Sequence, residues 1–214
     1  MGNTIYWIGG SSCSGKSTCA RLLAKERHCI LYNTDEYAFG KYMFGLPNIR
    51  EYPAIENYRN QLCEGVESFI RRETDSSYQS FINYCYEVFP FLRRDILELS
   101  QQNTVIVEGA HILPELLSND EKSIFLISAE EHQRTIWLKE MNQEIAGGNE
   151  YEINDYKKII DKKAFENARI GLHQKIANHI REESIKAKKE YRVINGTMTI
   201  CEVQGMIEEY FTVS

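Results

Sequence analysis

Ile5-Tyr6-Trp7-Ile8-Gly9-Gly10-Ser11-Ser12-Cys13-Ser14-Gly15-Lys16-Ser17-Thr18 is the stretch on which the fold of this chain turns. Four bulky apolar residues read as a buried parallel strand, and the two glycines end it in a turn. Gly10 to Ser17 then fits the phosphate-loop pattern G-x-x-x-x-G-K-[ST] at every position. The chemistry needs these residue types. Backbone N–H groups must curl round an anion, and glycines permit that curl. The helix that follows aims its positive end at the same anion. Lys16 reaches the β and γ phosphates, and the Ser17 hydroxyl ligates magnesium. Gly10, Ser11, Ser12, Cys13, Ser14, Gly15, Lys16, Ser17 and Thr18 are therefore the expected contacts of a nucleoside triphosphate, with ATP and Mg2+ as cofactors.

Working outward, a helix is expected from Lys16 to about Arg27, with Cys19, Leu22 and Leu23 on its inner face. Cys29 to Tyr32 reads as a second strand ending at Asn33-Thr34-Asp35. Residues 37 to 102 change character. Ile55, Tyr58, Leu62, Val66, Phe69 and Ile70 recur at helical spacing, as do Phe81, Ile82, Cys85, Val88 and Phe89, until Pro90 breaks or restarts the helix. Seven of the thirteen tyrosines fall in this helical insert, where core packing explains them better than a stacking role. The β-branched run Thr104 to Gly109 is a central strand. Pro114 opens a short helix. Ser123 to Ile127 is a fourth strand, followed by a helix through Trp137 and Met141. Gly147-Gly148-Asn149 marks a loop. Residues 155 to 190 read as a charged helix with a weak point at Gly171. Tyr191 to Ile194 is a fifth strand. Thr199-Ile200-Cys201-Glu202 is a capping box opening a last helix whose apolar face is Ile200, Val203, Met206, Ile207, Tyr210 and Phe211.

Strands alternating with helices imply a parallel α/β sheet covered on both sides, with ligands at the carboxyl ends of the strands. Gly10, Asp35, Glu108 and Asn195 all fall at such ends. The 214 residues suit one domain. A formal charge of −6 argues against nucleic acid or an anionic membrane as partner. The six cysteines show no disulfide or zinc spacing and read as free thiols of a reducing compartment. Cys13, near a helix N-terminus, reads as a small loop filler rather than a reactive thiol. No signal peptide and no apolar run long enough to cross a bilayer is visible, so a cytoplasmic protein is expected.

The phosphate loop, the acid after strand two and Val105-Ile106-Val107-Glu108-Gly109-Ala110-His111 together resemble the P-loop kinases of small molecules. The resemblance points to the nucleoside and nucleotide kinase-like group, which includes shikimate kinase, chloramphenicol phosphotransferase, uridine kinase and 2-phosphoglycerate kinase. It implies a three-layer P-loop NTPase fold, a five-stranded parallel sheet in order 2-3-1-4-5, the insert as substrate-binding element over about 37–102, and a lid over about 147–168. Its specific motifs cover about thirty residues, and it leaves the acceptor unnamed.

On that resemblance, Asp35 accepts the acceptor's proton or holds magnesium through water. The plain alternative is a turn residue or the N-cap of a helix at Glu36, and the functional reading is preferred. Glu108 stands in the place of the Walker B acid, where the group often has Asp, and would serve the metal or a substrate hydroxyl. The plain alternative is a strand-end residue satisfied by backbone. His111 reads as structural. Lids of the group supply arginines to the transferring phosphoryl group. Arg134 and Arg169 are the candidates, although Trp137-Leu138-Lys139 stands where an arginine pair is usual. Asn195, Gly196 and Thr197 are the expected adenine contacts. Arg50, Arg59, Arg71, Arg72, Arg93 and Arg94 of the insert form no evident phosphate patch. The catalytic set expected is thus Lys16, Asp35, Glu108, Arg134 and Arg169, with Ser17, Asp35 and Glu108 at the metal. The activity implied is phosphoryl transfer from ATP to a small metabolite or nucleoside. The alternatives are an ATP-dependent switch or a kinase of macromolecules. A GTPase is disfavoured by the lack of N-K-x-D.

Overall fold

The structure is a computed structural model that describes residues 4–147 and 161–213. Five parallel strands form one sheet: β1 (Ile5–Gly10), β2 (Ile30–Asn33), β3 (Val105–Gly109), β4 (Ser123–Ser128) and β5 (Glu190–Ile194). Their order is β2-β3-β1-β4-β5. This is the three-layer P-loop arrangement that the resemblance implied.

The layers follow from the period of two along each strand. Trp7, Tyr32, Val105, Val107, Phe125 and Ile127 point to one face. Ile8, Ile106, Ile124, Leu126 and Ile194 point to the other. The second face packs on α1 (Lys16–Glu26) through Cys19, Ala20, Leu23 and Ala24. A last helix, Ile200–Val213, adds Val203, Ile207 and Phe211 there. Its capping box is formed: Thr199 N donates to Glu202 Oε2 at 2.7 Å, and Glu202 N donates to Thr199 Oγ1 at 3.3 Å. Ile200, expected on the apolar face, is exposed.

The first face is covered by the segment between β2 and β3. It runs through a π-helical stretch (Glu36–Met43), then α2 (Pro53–Cys63), α3 (Val66–Arg71) and α4 (Thr74–Ser100). The sequence reading broke α4 at Pro90, yet the helix runs straight through it. An interior proline costs about 3 kcal/mol. Val88, Phe89 and Leu92 are each buried, at roughly 1.5–3 kcal/mol apiece. Burial on both sides of the proline outweighs the lost hydrogen bond, and Pro90 itself faces solvent.

α5 (Glu130–Gly147) follows β4, and α6 (Lys162–Lys186) precedes β5. The Asp161 carboxylate caps α6 by accepting from Ala164 N at 2.9 Å. Gly171 does not weaken α6, because Ile170 and Leu172 anchor the helix on both sides of it. The expected loop at Gly148-Asn149 and residues 148–160 of the expected lid lie outside the described residues; residues 162–168 open α6.

Candidate active site

The loop between β1 and α1 is shaped by three residues with positive φ: Gly10 at 136°, Cys13 at 59° and Gly15 at 80°. Gly10 could be nothing larger, since a Cβ there would lie 2.0 Å from Leu126 O. The loop is tied to β4 and to itself. Ser11 N donates to Leu126 O at 2.9 Å, and Ser128 N donates to Ser11 Oγ at 2.7 Å. Ser14 Oγ donates to Ser11 O at 2.9 Å. Lys16 is buried and folds back to donate to Ser11 O at 3.1 Å. Thr18 faces solvent on the first turn of α1.

The register of the sheet delivers the acids. Ile8 pairs with Glu108, and Asn33 pairs with the same residue from the other side. Glu108 lies two residues beyond Ile106, so its side chain shares the α1 face of the sheet. There it accepts the Ser17 hydroxyl at 3.0 Å. It is 1% exposed. Burial raises its pKa above the ordinary carboxylate value; Lys16 opposes the rise and Asp35 adds to it.

Asp35 stands at the N-cap position of the Glu36–Met43 stretch, but its side chain makes no capping hydrogen bond. Asn33 takes that role, its Oδ1 accepting from Asp35 N at 2.8 Å and from Glu36 N at 3.3 Å. The Asp35 carboxylate is thereby free to turn toward the end of β3. Its Oδ1 accepts from Ala110 N at 3.1 Å and lies 2.9 Å from His111 Nδ1. Burial alone would push this carboxyl up. The His111 imidazole, the Lys16 ammonium and the Ala110 N–H together outweigh burial and hold it well below the usual range. One buried carboxylate is thus pushed toward protonation and its neighbour is held ionised, with Lys16 facing both.

The other expected residues are placed unequally. Arg134 reaches Asn167 Oδ1 at 3.4 Å and Glu130 at 4.0 Å, on the outer side of α5 and α6. Arg169 is half-buried, and its Nε has no hydrogen-bond partner among the described residues. Its charge is felt by Tyr58 and His173. Asn195, Gly196 and Thr197 form an exposed turn closed by Asn195 Oδ1, which accepts from Thr197 N at 3.2 Å and from its hydroxyl at 2.8 Å. A Cβ on Gly196 would lie 2.7 Å from His132 Nδ1, so the turn sits hard against α5. Four arginines of the insert are paired with acids: Arg71 with Glu67, Arg72 with Glu64, Arg93 with Glu121, and Arg94 with Asp95.

Two residues of the site escaped the sequence reading. Gln133 is fully buried; its Nε2 donates to Ser12 O at 3.2 Å, and its Oε1 accepts from Gln174 Nε2 at 2.6 Å. It links α6 to the phosphate loop through α5. Its position four residues before Trp137 on the apolar stripe was the available signal. His173, one turn after Arg169, has a buried Nε2 without a hydrogen-bond partner among the described residues. Burial, then Arg169 and Lys16, lower its pKa to about 3. Nothing in its sequence neighbourhood marks it.

No family model matches the chain. The bifunctional pantoate ligase/cytidylate kinase of Prochlorococcus marinus subsp. pastoris is 25% identical over 186 residues, 77% of this chain and 36% of that protein. The chain therefore spans little more than a third of that relative's length. Among solved structures, shikimate kinase from Aquifex aeolicus is 16% identical with a TM-score of 0.43, over 98% of this chain and 97% of that one. Thymidylate kinase from Candida albicans is 15% identical with a TM-score of 0.45, over 99% and 92%.

Proposed function

We propose that the chain is a kinase that transfers a phosphoryl group from ATP, with Mg2+, to a hydroxyl or phosphate of a small metabolite or nucleoside. The observation that carries this reading is the convergence on one sheet edge of a phosphate-cradling loop with Lys16, a buried Glu108 bonded to Ser17, and an ionised Asp35. Catalysis of this kind is positioning and electrostatic stabilisation. The loop N–H groups and Lys16 hold the phosphates. Asp35, held ionised, would orient the acceptor hydroxyl and take its proton only as bonding to phosphorus makes that proton acidic. A carboxylate held this low is a weak base beforehand.

The residues suit magnesium. Ser17 Oγ and Glu108 are already within hydrogen-bond reach, and a cation would relieve the repulsion between Glu108 and Asp35. Among the described residues no three His, Cys, Asp or Glu could hold a metal alone, which suits an ion completed by phosphate oxygens and water. Ser17 would bind it directly, with Glu108 and Asp35 acting through its water. Bound magnesium neutralises charge on the β and γ oxygens.

Arg169 would meet the transferring phosphoryl group, a reading supported by its acting with Lys16 on His173, whereas Arg134 turns to Asn167 and Glu130. The turn Asn195-Gly196-Thr197 is assigned to the base of the nucleotide. The insert over about 37–102 would bind the acceptor, and a lid over about 147–168 would close on it. The acidic net charge favours small-molecule over nucleic-acid partners. Among the described residues no helix is long and apolar enough to cross a membrane, and the free thiols fit a cytoplasmic setting.

A panel of metabolites and nucleosides incubated with MgATP tests the reading. One compound should be phosphorylated by the wild type and not by Lys16→Ala. Equal turnover by the two proteins would sink it.

A further inference from the structure

The end of β3 does more than supply Glu108. Gly109 has φ 147°, and a Cβ on it would lie 1.8 Å from Thr34 Oγ1 and 2.9 Å from Asp35 Oδ1. Its missing side chain lets the end of β2 close onto β3. The next residue, Ala110, donates its N–H to Asp35 Oδ1. The one after that, His111, brings Nδ1 to 2.9 Å from the same oxygen, bent from the in-line geometry of a formed hydrogen bond. Gly109-Ala110-His111 is therefore a cradle for one oxygen of Asp35, leaving Oδ2 for chemistry.

His111 is fully buried. Phe39 lies edge-on to its ring at 4.9 Å, Tyr84 edge-on at 5.4 Å, and Phe81 tilted at 5.8 Å. Its Nε2 has no hydrogen-bond partner among the described residues. A histidine held this way by rings has its polar contact at Asp35. A phenylalanine would fill the same space without leaving a buried nitrogen unsatisfied, which costs about 1–3 kcal/mol. The imidazole is thus retained at a cost to packing, and the orientation of the Asp35 carboxylate is what it gives in return.

We propose that His111 is the positioning residue of Asp35: fixed by Phe39, Phe81 and Tyr84, it holds Oδ1 together with the Ala110 N–H and so aims Oδ2 at the acceptor. The proposal rests on Asp35 being the acceptor-side carboxylate.

The test is a double-mutant cycle on the full chain, with MgATP hydrolysis by water as the reaction and binding of a non-hydrolysable ATP analogue as the second readout. His111→Phe keeps the cage filled and should lower kcat about tenfold with analogue affinity unchanged. His111→Asn, which still offers an N–H near the Nδ1 position, should recover most of that loss. In an Asp35→Asn background the His111→Phe change should alter kcat by less than about twofold. The same fold loss in both backgrounds, or none beside Asp35, overturns the proposal. The Asp35 carboxyl 13C resonance supplies a readout without turnover: it should move in His111→Phe, and an unmoved resonance also overturns the proposal. Lys16→Ala is the control for the kinase reading itself. If it hydrolyses ATP as fast as the wild type, that reading fails while the resonance still decides the role of His111. Should His111→Phe fail to fold, His111→Asn against Asp35→Asn carries the same cycle, with a small coupled loss expected and an additive one contradictory.

Discussion

The phosphate loop is held by directed hydrogen bonds, whereas the helices between β2 and β3 are held by apolar side-chain packing. In the loop, Ser11 alone takes part in contacts from Leu126, Ser128, Ser14 and Lys16. Between β2 and β3, the order comes from a core of Ile55, Phe81, Tyr84, Val88, Phe89, Leu92 and Ile96. A loop held by several separate hydrogen bonds tolerates loss of one of them without losing its shape. A packing-held one changes in stability first. The difference predicts which substitutions separate chemistry from folding.

Asp35→Asn is expected to have the largest effect, a fall in kcat of roughly 10²–10⁴-fold, because an amide cannot take the proton. Steady-state kinetics on the phosphorylated compound would check it. An unchanged kcat would move the role of base to Glu108. Pro90→Ala comes next and acts on stability alone. Restoring the missing hydrogen bond at the exposed position 90 of α4 should raise the unfolding free energy by about 1–3 kcal/mol, read from the urea midpoint. A lower midpoint would mean that the packing depends on a bend at Pro90. The smallest effect concerns His173. Its folded pKa of about 3 lies below the ordinary 6.5, so the folded protein keeps it neutral. That contribution is complete above pH 6.5 and is lost as pH falls toward 3, at no more than about 1.4 kcal/mol per pH unit. His173→Gln should therefore lose less stability than the wild type between pH 6.5 and 5. Parallel curves would show that His173 titrates alike in both states.

The same contrast explains what the sequence disclosed. The strand, loop and helix from Ile5 to Glu26 are legible because motif and periodicity both act locally, although Ala20 and Ala24 rather than Leu22 join Cys19 and Leu23 on the buried face. The capping box at Thr199 was legible for the same reason. Pro90 misled because local preference argued for a break, and distant burial overruled it. The sequence leaves Asp35 open between cap and catalyst because the decision lies with Asn33, two residues earlier, and with a histidine in the turn after β3. His111 reads as structural from the sequence; it is buried, and its contact with Asp35 follows from how the ends of β2 and β3 are paired, which no local pattern shows. Gln133 reaches the loop, and His173 the neighbourhood of Arg169 and Lys16, only because of how α5 and α6 pack, which single residues do not announce.

Calorimetric titration of a non-hydrolysable ATP analogue with Mg2+ into the wild type, Lys16→Ala and Asp35→Asn tests the division most directly. The account expects Lys16→Ala to weaken binding by about 10–100-fold, the loss of a charge-assisted hydrogen bond, with Asp35→Asn within about threefold of the wild type. A collapse of binding in Asp35→Asn comparable to that in Lys16→Ala would contradict it, since the phosphate grip would then depend on the carboxylate as well as on the loop.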